Sequence, residues 1–420
     1  MQPANTTFIG IDWADKKHDF HLVDPDGKIQ FGVFEQTPKA IAGVVEAWRK
    51  AAPDANIVVA IEATKGALIN ALLEFEDITI YPINPAAMAS YRKAFAHGGG
   101  KNDVVDAKLL AQYLIHYIDQ LKPLEQDQPL TREIAAMSED RRRLVDQRAD
   151  LANELTAVLK TYFPAILLLK AAKPYAAFVL TLLLKYPSLE LIQKAGGHKL
   201  RKLFLALGLK KTTSEVRIEI LVSAIPLTTN STTIAVASRR VLDLCEQLLL
   251  LNKLVKRLDN SLEGLVSKHA DYKVASSFPH AATATQARLI ASFGDDRTRY
   301  PTASSMSTYS GIAPVTIQSG RMKVVRSRWA CPKFMRQTFH EYAGQSIKGS
   351  GWAKAYYDIQ INRGKSKQTA RRALAYKWQR IMHKCWASGT PYSEDQYVER
   401  LRATGSPIIA MLDKSSEIAA

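Results

Sequence analysis

Four carboxylates carry the clearest chemistry in this sequence. Asp12 ends an apolar, β-branched run from Thr7, and Glu62 follows a second such run, Ala55 to Ile61. Asp103 and Asp106 open a helical stretch three residues apart, so they share one helical face. Converging carboxylates raise one another's pKa or take up a cation. Hard oxygen donors suit Mg2+, with Mn2+ as a substitute, and paired ions of this kind catalyse phosphoryl transfer. Each acid alone is an ordinary cap or surface charge; it is the order of the elements that predicts convergence. A sugar-kinase or actin-like ATPase opening also reads Gly-Ile-Asp, as in Gly10-Ile11-Asp12, but it needs small residues and glycine next to cradle phosphate. Trp13 follows here and the next glycine is Gly27, which disfavours that reading.

The elements that must position these acids read as follows. Residues 7–35 form three strands in an antiparallel meander, with a turn at Asp24-Pro25-Asp26-Gly27. A helix from Lys39 to Ala51 is amphipathic through Ile41, Val44, Val45 and Trp48. Strands at 55–61 and 78–83 and helices at 66–75, 85–96 and about 102–117 complete the order βββαβαβα. That is the order of a ribonuclease-H-like sheet. Its first and fourth strands are neighbours, which brings Asp12 beside Glu62, with the last helix presenting Asp103 and Asp106. The fold class expected is α/β plus α. An N-terminal α/β domain spans 1–125. Long coiled-coil helices at 131–161 and 241–268 lie within 126–270, paired in antiparallel fashion or between molecules. They enclose a Leu-rich helical insert at 163–240. A mostly helical C-terminal domain spans 271–400 and a tail 401–420, the last twelve residues frayed. Within the C-terminal domain, 276–293 reads as a helix-turn-helix-like stretch and 306–320 as loop.

The chain has 420 residues, 47% hydrophobic and 23% charged, which excludes a disordered or collagen-like protein. Its 57 Lys and Arg against 40 Asp and Glu give +17, a balance that points to a polyanion. The excess is local, since residues 321–385 hold 16 Lys or Arg against Glu341 and Asp358. Within that stretch Arg321, Lys323, Arg326 and Arg328 form one basic group. Arg363, Lys365, Lys367, Arg371 and Arg372 form another, with Trp352, Tyr356 and Tyr357 nearby for stacking. Three scattered cysteines exclude a disulfide framework or zinc finger and fit the cytoplasm. The apolar stretch from Pro164 to Leu184 carries Lys170 and Lys173, so it reads as buried helices and no membrane partner is expected. The histidines have no metal-ligand spacing.

Phe8-Ile9-Gly10-Ile11-Asp12-Trp13-Ala14, Ile61-Glu62-Ala63-Thr64, Ile83-Asn84-Pro85 and Lys101-Asn102-Asp103-Val104-Val105-Asp106-Ala107 resemble the RuvC-like DEDD domain of a family of bacterial insertion-sequence transposases. Gly311-Ile312-Ala313-Pro314, followed by Gln318-Ser319-Gly320, resembles the same family's C-terminal transposase domain. The resemblance implies a bridge-RNA-guided recombinase, in which a structured noncoding RNA pairs with donor and target DNA. It implies metal ligation by Asp12, Glu62, Asp103 and Asp106, and attack on a DNA phosphate by Ser319 to give a covalent phosphoserine. Ser310 is the nearest rival serine. The family's Pro-Gly-Ile-Gly hairpin is replaced here by Phe278-Pro279-His280-Ala281-Ala282-Thr283, which puts a tight backbone contact to phosphate there in doubt. A homo-oligomer is expected, a dimer that assembles to a tetramer on nucleic acid through the long helices. Two other readings fit the same residues: a metal-dependent junction nuclease that uses water, and a non-catalytic nucleic-acid-binding derivative.

Overall fold

The computed structural model describes residues 5–95, 103–169, 173–320 and 322–419. The chain forms two compact units, Met1–Gln126 and Asp127–Ala420.

The first unit opens with strands β1 (Thr6–Trp13), β2 (Lys17–Val23) and β3 (Ile29–Glu35), then helix α1 (Pro38–Ala51). It continues through β4 (Asn56–Ile61), α2 (Ala67–Leu72), β5 (Ile78–Pro82), α3 (Pro85–Phe95) and α4 (Asp103–Tyr117). The sheet order is β3-β2-β1-β4-β5, antiparallel in the meander and parallel from β1 onward. The expected turn forms, with Gly27 at φ +80° and Asp24 Oδ1 accepting from Lys28 N at 2.8 Å. Both faces of the central strands are covered, which is why β1 and β4 read as unbroken apolar runs. Ile9, Ile11, Val59 and Ile61 pack with Trp48, Leu68 and Leu72 on one face. Phe8, Val58 and Ala60 pack with Met88, Leu110 and Leu114 on the other. The edge strand β3 leaves Ile29, Phe31 and Val33 exposed.

The second unit begins with α5 (Pro129–Tyr162), α6 (Ala177–Lys185), α7 (Leu189–Ala206), α8 (Lys211–Val222) and α9 (Ser231–Val266). Both long helices form and pair with each other, antiparallel and within the chain. Arg141 binds Asp259, Arg148 Nη1 reaches Asn252 at 3.1 Å, and Arg240 binds Glu154. The apolar stripe of α9 (Val241, Leu244, Leu248, Leu251) is buried inside the chain. The insert packs against it, so Leu180, Ile192, Phe204 and Leu221 share one core with Leu155 and Leu159. Within the Pro164–Leu184 stretch the described residues hold a short 3-10 turn (Pro164–Leu168) and most of α6, and no helix among the described residues is long and apolar enough to cross a membrane.

The chain then forms α10 (Tyr272–Ser276), α11 (Thr283–Phe293), α12 (Ala303–Tyr309), β6 (Val315–Ser319), β7 (Met322–Arg326) and α13 (Lys333–Ser346). It ends in α14 (Gly351–Asn362), α15 (Lys367–Ser388), α16 (Glu394–Ala403) and α17 (Pro407–Ala419). Three expectations are corrected here. The 306–320 stretch holds the end of α12 and strand β6, not a loop. The last residues are not a frayed tail: Ile408, Ile409, Met411 and Leu412 recur at helical spacing and pack on the C-terminal core. Trp352, expected to stack on nucleic acid, is fully buried there against Trp378 and donates to Tyr392 Oη at 2.7 Å.

Candidate functional site

Register brings two of the four acids together. Ile11 pairs with Ile61 across β1 and β4, so Asp12 and Glu62, one residue further on, stand side by side. Strand alternation puts Asp12 on the face of Phe8 and Gly10, and Glu62 on the face of Val58 and Ala60. That face is covered by α4. Gly10 makes the approach possible, because a Cβ there would overlap the Ala107 carbonyl and stand 2.9 Å from Leu110 Cβ. With Ala107 at Gly10, and Leu110 and Leu114 in the cluster of Phe8, α4 runs antiparallel to β1. Its first turn, with Asp103 and Asp106, therefore lies toward the Asp12 end of the strand. Asn84 Oδ1 caps the preceding helix at Ala86 N (2.8 Å), with Pro85 as its first residue, which accounts for the Ile83-Asn84-Pro85 motif.

The four acids differ in setting. Asp12 and Glu62 are half-buried and Asp103 is exposed. Asp106 is only 4% exposed and is held by Arg92 Nη2 at 2.8 Å. A buried carboxylate requires such a partner. Sequence reasoning missed Arg92, whose one visible signal is a basic side chain in the last turn of α3. Among the described residues, no three His, Cys, Asp or Glu side chains form a metal-holding group. Lys101 and Asn102, just before α4, lie outside the described residues.

Ser319 sits at the tip of a hairpin. β6 and β7 pair from Val315–Arg326 to Ser319–Met322, so the hairpin turns just after Ser319. Gly320 has φ +54°, the left-handed backbone that such a turn requires. Alternation puts Ser319 on one face with Ile317, Met322 and Val324. Ser319, Lys323 and Arg326 are exposed and Arg328 is half-buried; Arg321 lies outside the described residues. The rival Ser310 is fully buried, donating to the Ser307 carbonyl and accepting from Gln379 Nε2 at 2.7 Å. Gly311 (φ +73°), just before β6, packs against Cys331, just after β7, so closely that a Cβ there would collide with it. Trp329, just beyond the hairpin, is 85% exposed, and sequence reasoning passed over it.

The second basic group splits. Arg363, Lys365 and Lys367 are exposed around the start of α15. Arg372 donates to Ser327 Oγ, tying α15 to the chain after β7. Arg371 lines a groove of about 690 Å3 with Arg141, Arg288, His340 and Lys348. Burial pushes the His340 imidazole below its usual pKa, with Arg371 and Arg372 adding to the effect against a hydrogen bond to Gln368. The Phe278–Thr283 hairpin closes without glycine: His280 takes φ +58°, and its ring fills the space left by Gly349.

Comparison with known proteins adds two matches and several relatives. Residues 9–164 match a transposase family model of the IS110 DEDD type. Residues 272–358 match a model described as transposase, IS116/IS110/IS902 family. The chain belongs to this transposase family. Three of its relatives align with it over nearly the full length of both chains. The IS117 mini-circle protein of Streptomyces coelicolor is 28% identical over 93% of this chain and 96% of its own. The 43.6 kDa protein of insertion element IS110 from the same organism is 23% identical over 92% and 95%. The 42 kDa protein of IS900 from Mycobacterium paratuberculosis is 24% identical over 91% and 96%. The two matched stretches of this IS110-type transposase contain all four acids and Ser319, and the helical insert from residue 165 onward falls between them.

Proposed function

We propose that this transposase is a recombinase that cuts and rejoins DNA through two parts: a carboxylate site in the first unit and Ser319 in the second. The sheet of the first unit, three antiparallel strands followed by parallel α/β units, is read as ribonuclease-H-like and RuvC-like. The observation that carries the reading is the register that ends β1 and β4 side by side at Asp12 and Glu62, beneath the first turn of α4. The donor set is entirely carboxylate, which fits Mg2+ or Mn2+. Asp12 and Glu62 would hold the ion, with Asp103 and Asp106 completing the set once Asp106 exchanges its contact with Arg92. When bound, the ion supplies charge neutralisation at the scissile phosphate.

Ser319 Oγ is the nucleophile in this reading. Its proton leaves as the oxygen attacks phosphorus; a serine–phosphate ester forms and the displaced sugar hydroxyl departs. The ester conserves the phosphodiester's energy, so the strand is rejoined without ATP. Ser319's exposure at a hairpin tip and the burial of Ser310 both support this choice. Lys323, Arg326 and Arg328 follow closely and hold phosphate oxygens. Arg363, Lys365, Lys367, Arg371 and Arg372 extend the nucleic-acid surface. The partners are donor and target DNA and a structured noncoding guide RNA encoded by the element. A homo-oligomer, dimer to tetramer, brings several sites together. Because α5 and α9 spend their apolar stripes on each other, that assembly uses another surface.

The test combines purified protein, labelled element-end and target DNA, and RNA transcribed from the element's noncoding flank. Strand cleavage should require both Mg2+ and the RNA. Asp12→Ala or Glu62→Ala should abolish cleavage while nucleic-acid binding persists. Full recombination by either variant would remove the carboxylate site from the account.

A further inference from the structure

A cavity of about 560 Å3 lies between the C-terminal half of α15, the turn that follows it, and α16. Lys377, Arg380, Lys384 and Arg400 line it, with Tyr392 and Tyr397. Lys377, Lys384 and Ile381 share one face of α15 by their spacing, and Arg400 enters from α16. No carboxylate lines the cavity among the described residues. Glu394, at the start of α16, is not among the lining residues; it accepts from Ser350 Oγ at 2.7 Å and from the cavity's own Tyr392 Oη at 2.8 Å. Lys377 rests over the Tyr356 ring at 5.2 Å, and burial together with Arg380 lowers its pKa. Cations crowded without a counter-charge repel one another, and an anion relieves the crowding.

The size and lining identify the anion's class. Ligand cavities run from about 300 to 1,000 Å3, so this one has room for more than a free phosphate. Aromatic side chains beside cations are the recognition chemistry of single-stranded nucleic acid, where bases are unstacked and reach protein surfaces. We propose that the cavity between α15 and α16 takes a nucleotide of a single-stranded segment of bound nucleic acid. Arg380, Lys384 and Arg400 hold its phosphate, and Tyr392 and Tyr397 border its base. The inference rests on the nucleic-acid reading given above, but it requires neither the metal nor Ser319.

The test measures binding of fluorescein-labelled oligo(U), oligo(dT) and a DNA duplex by fluorescence anisotropy across a salt series. Arg380→Gln, Lys384→Gln and Arg400→Gln are combined in one variant. A charge-matched control carries Lys199→Gln, Lys202→Gln and Lys210→Gln, all exposed on the helical insert and its edge. The first variant should lose about tenfold in single-strand affinity, and its salt slope should fall by about 0.7, the share of one single-strand phosphate. The control should change by less than about twofold. The oligo(U) and oligo(dT) arms tell which strand occupies the cavity. Equal losses in the two variants, or a loss confined to the duplex, overturn the proposal. Cys385 lines the same cavity and gives a readout on the unmodified protein. Saturating strand should slow its alkylation several-fold by mass spectrometry, and unchanged labelling overturns the proposal. A wild type that binds no nucleic acid would remove the broader reading instead.

Discussion

Arg92 Nη2 lies 2.8 Å from a carboxylate oxygen of Asp106, the one deeply buried member of the acidic set. The pair joins α3 to the first turn of α4 and fixes where that turn sits over β1. Removing Arg92 leaves a buried charge without a partner. Arg92→Ala should therefore destabilise the first unit by about 2 kcal/mol, Arg92 being partly exposed. Adding Asp106→Asn should restore most of that loss. Urea unfolding followed by circular dichroism reads both. If Arg92→Ala unfolds at the wild-type midpoint, the pair does not position α4.

Gly10 makes a sharper case. Its missing Cβ is the space taken up by the Ala107 backbone, and a backbone does not yield as a flexible side chain would. Gly10→Ala should cost about 3 kcal/mol through overpacking. It should also remove strand cleavage by lifting Asp103 and Asp106 away from Asp12. Gly43, with nothing within 4 Å of a Cβ, is the control, and Gly43→Ala should be tolerated. Retained cleavage in Gly10→Ala would dissociate α4 from the chemistry.

The exposed cations at the hairpin and at the start of α15 make a quantitative prediction. Neutralising Lys323 and Arg326 together should weaken DNA binding at low salt. The salt slope should fall by about one for each DNA phosphate that no longer meets a cation. Arg363→Gln with Lys367→Gln should do the same. An unchanged slope for either pair would assign those charges to solvent.

Much of this was legible in the sequence, and the rest was hidden for physical reasons. Unbroken apolar runs at β1 and β4 could be read because helices cover both faces of those strands. The Asp103–Asp106 spacing marked the start of α4. Strand β6 was read as loop because Gly311, Pro314 and Gly320 crowd the 306–320 stretch, and its five residues, nearly all exposed, contribute to no core that would mark a strand. The stripes on α5 and α9 were seen, but periodicity does not say which helix is the partner, and the partner proved to be in the same chain. Trp352 looked available because its burial is set by Trp378 and Tyr392, far along the chain. Arg92 and the α15–α16 cavity are products of tertiary packing and left no local pattern.

Ser319 is the residue proposed to become joined to DNA. The most direct measurement traps the reaction on a nicked substrate, digests the protein and maps the DNA-linked peptide by mass spectrometry. The linked peptide should contain Ser319. Ser319→Ala should give no adduct, while the exposed neighbour variant Ser304→Ala should give the wild-type amount. An adduct that survives Ser319→Ala, or an active wild type that cleaves DNA with no adduct at all, would contradict it.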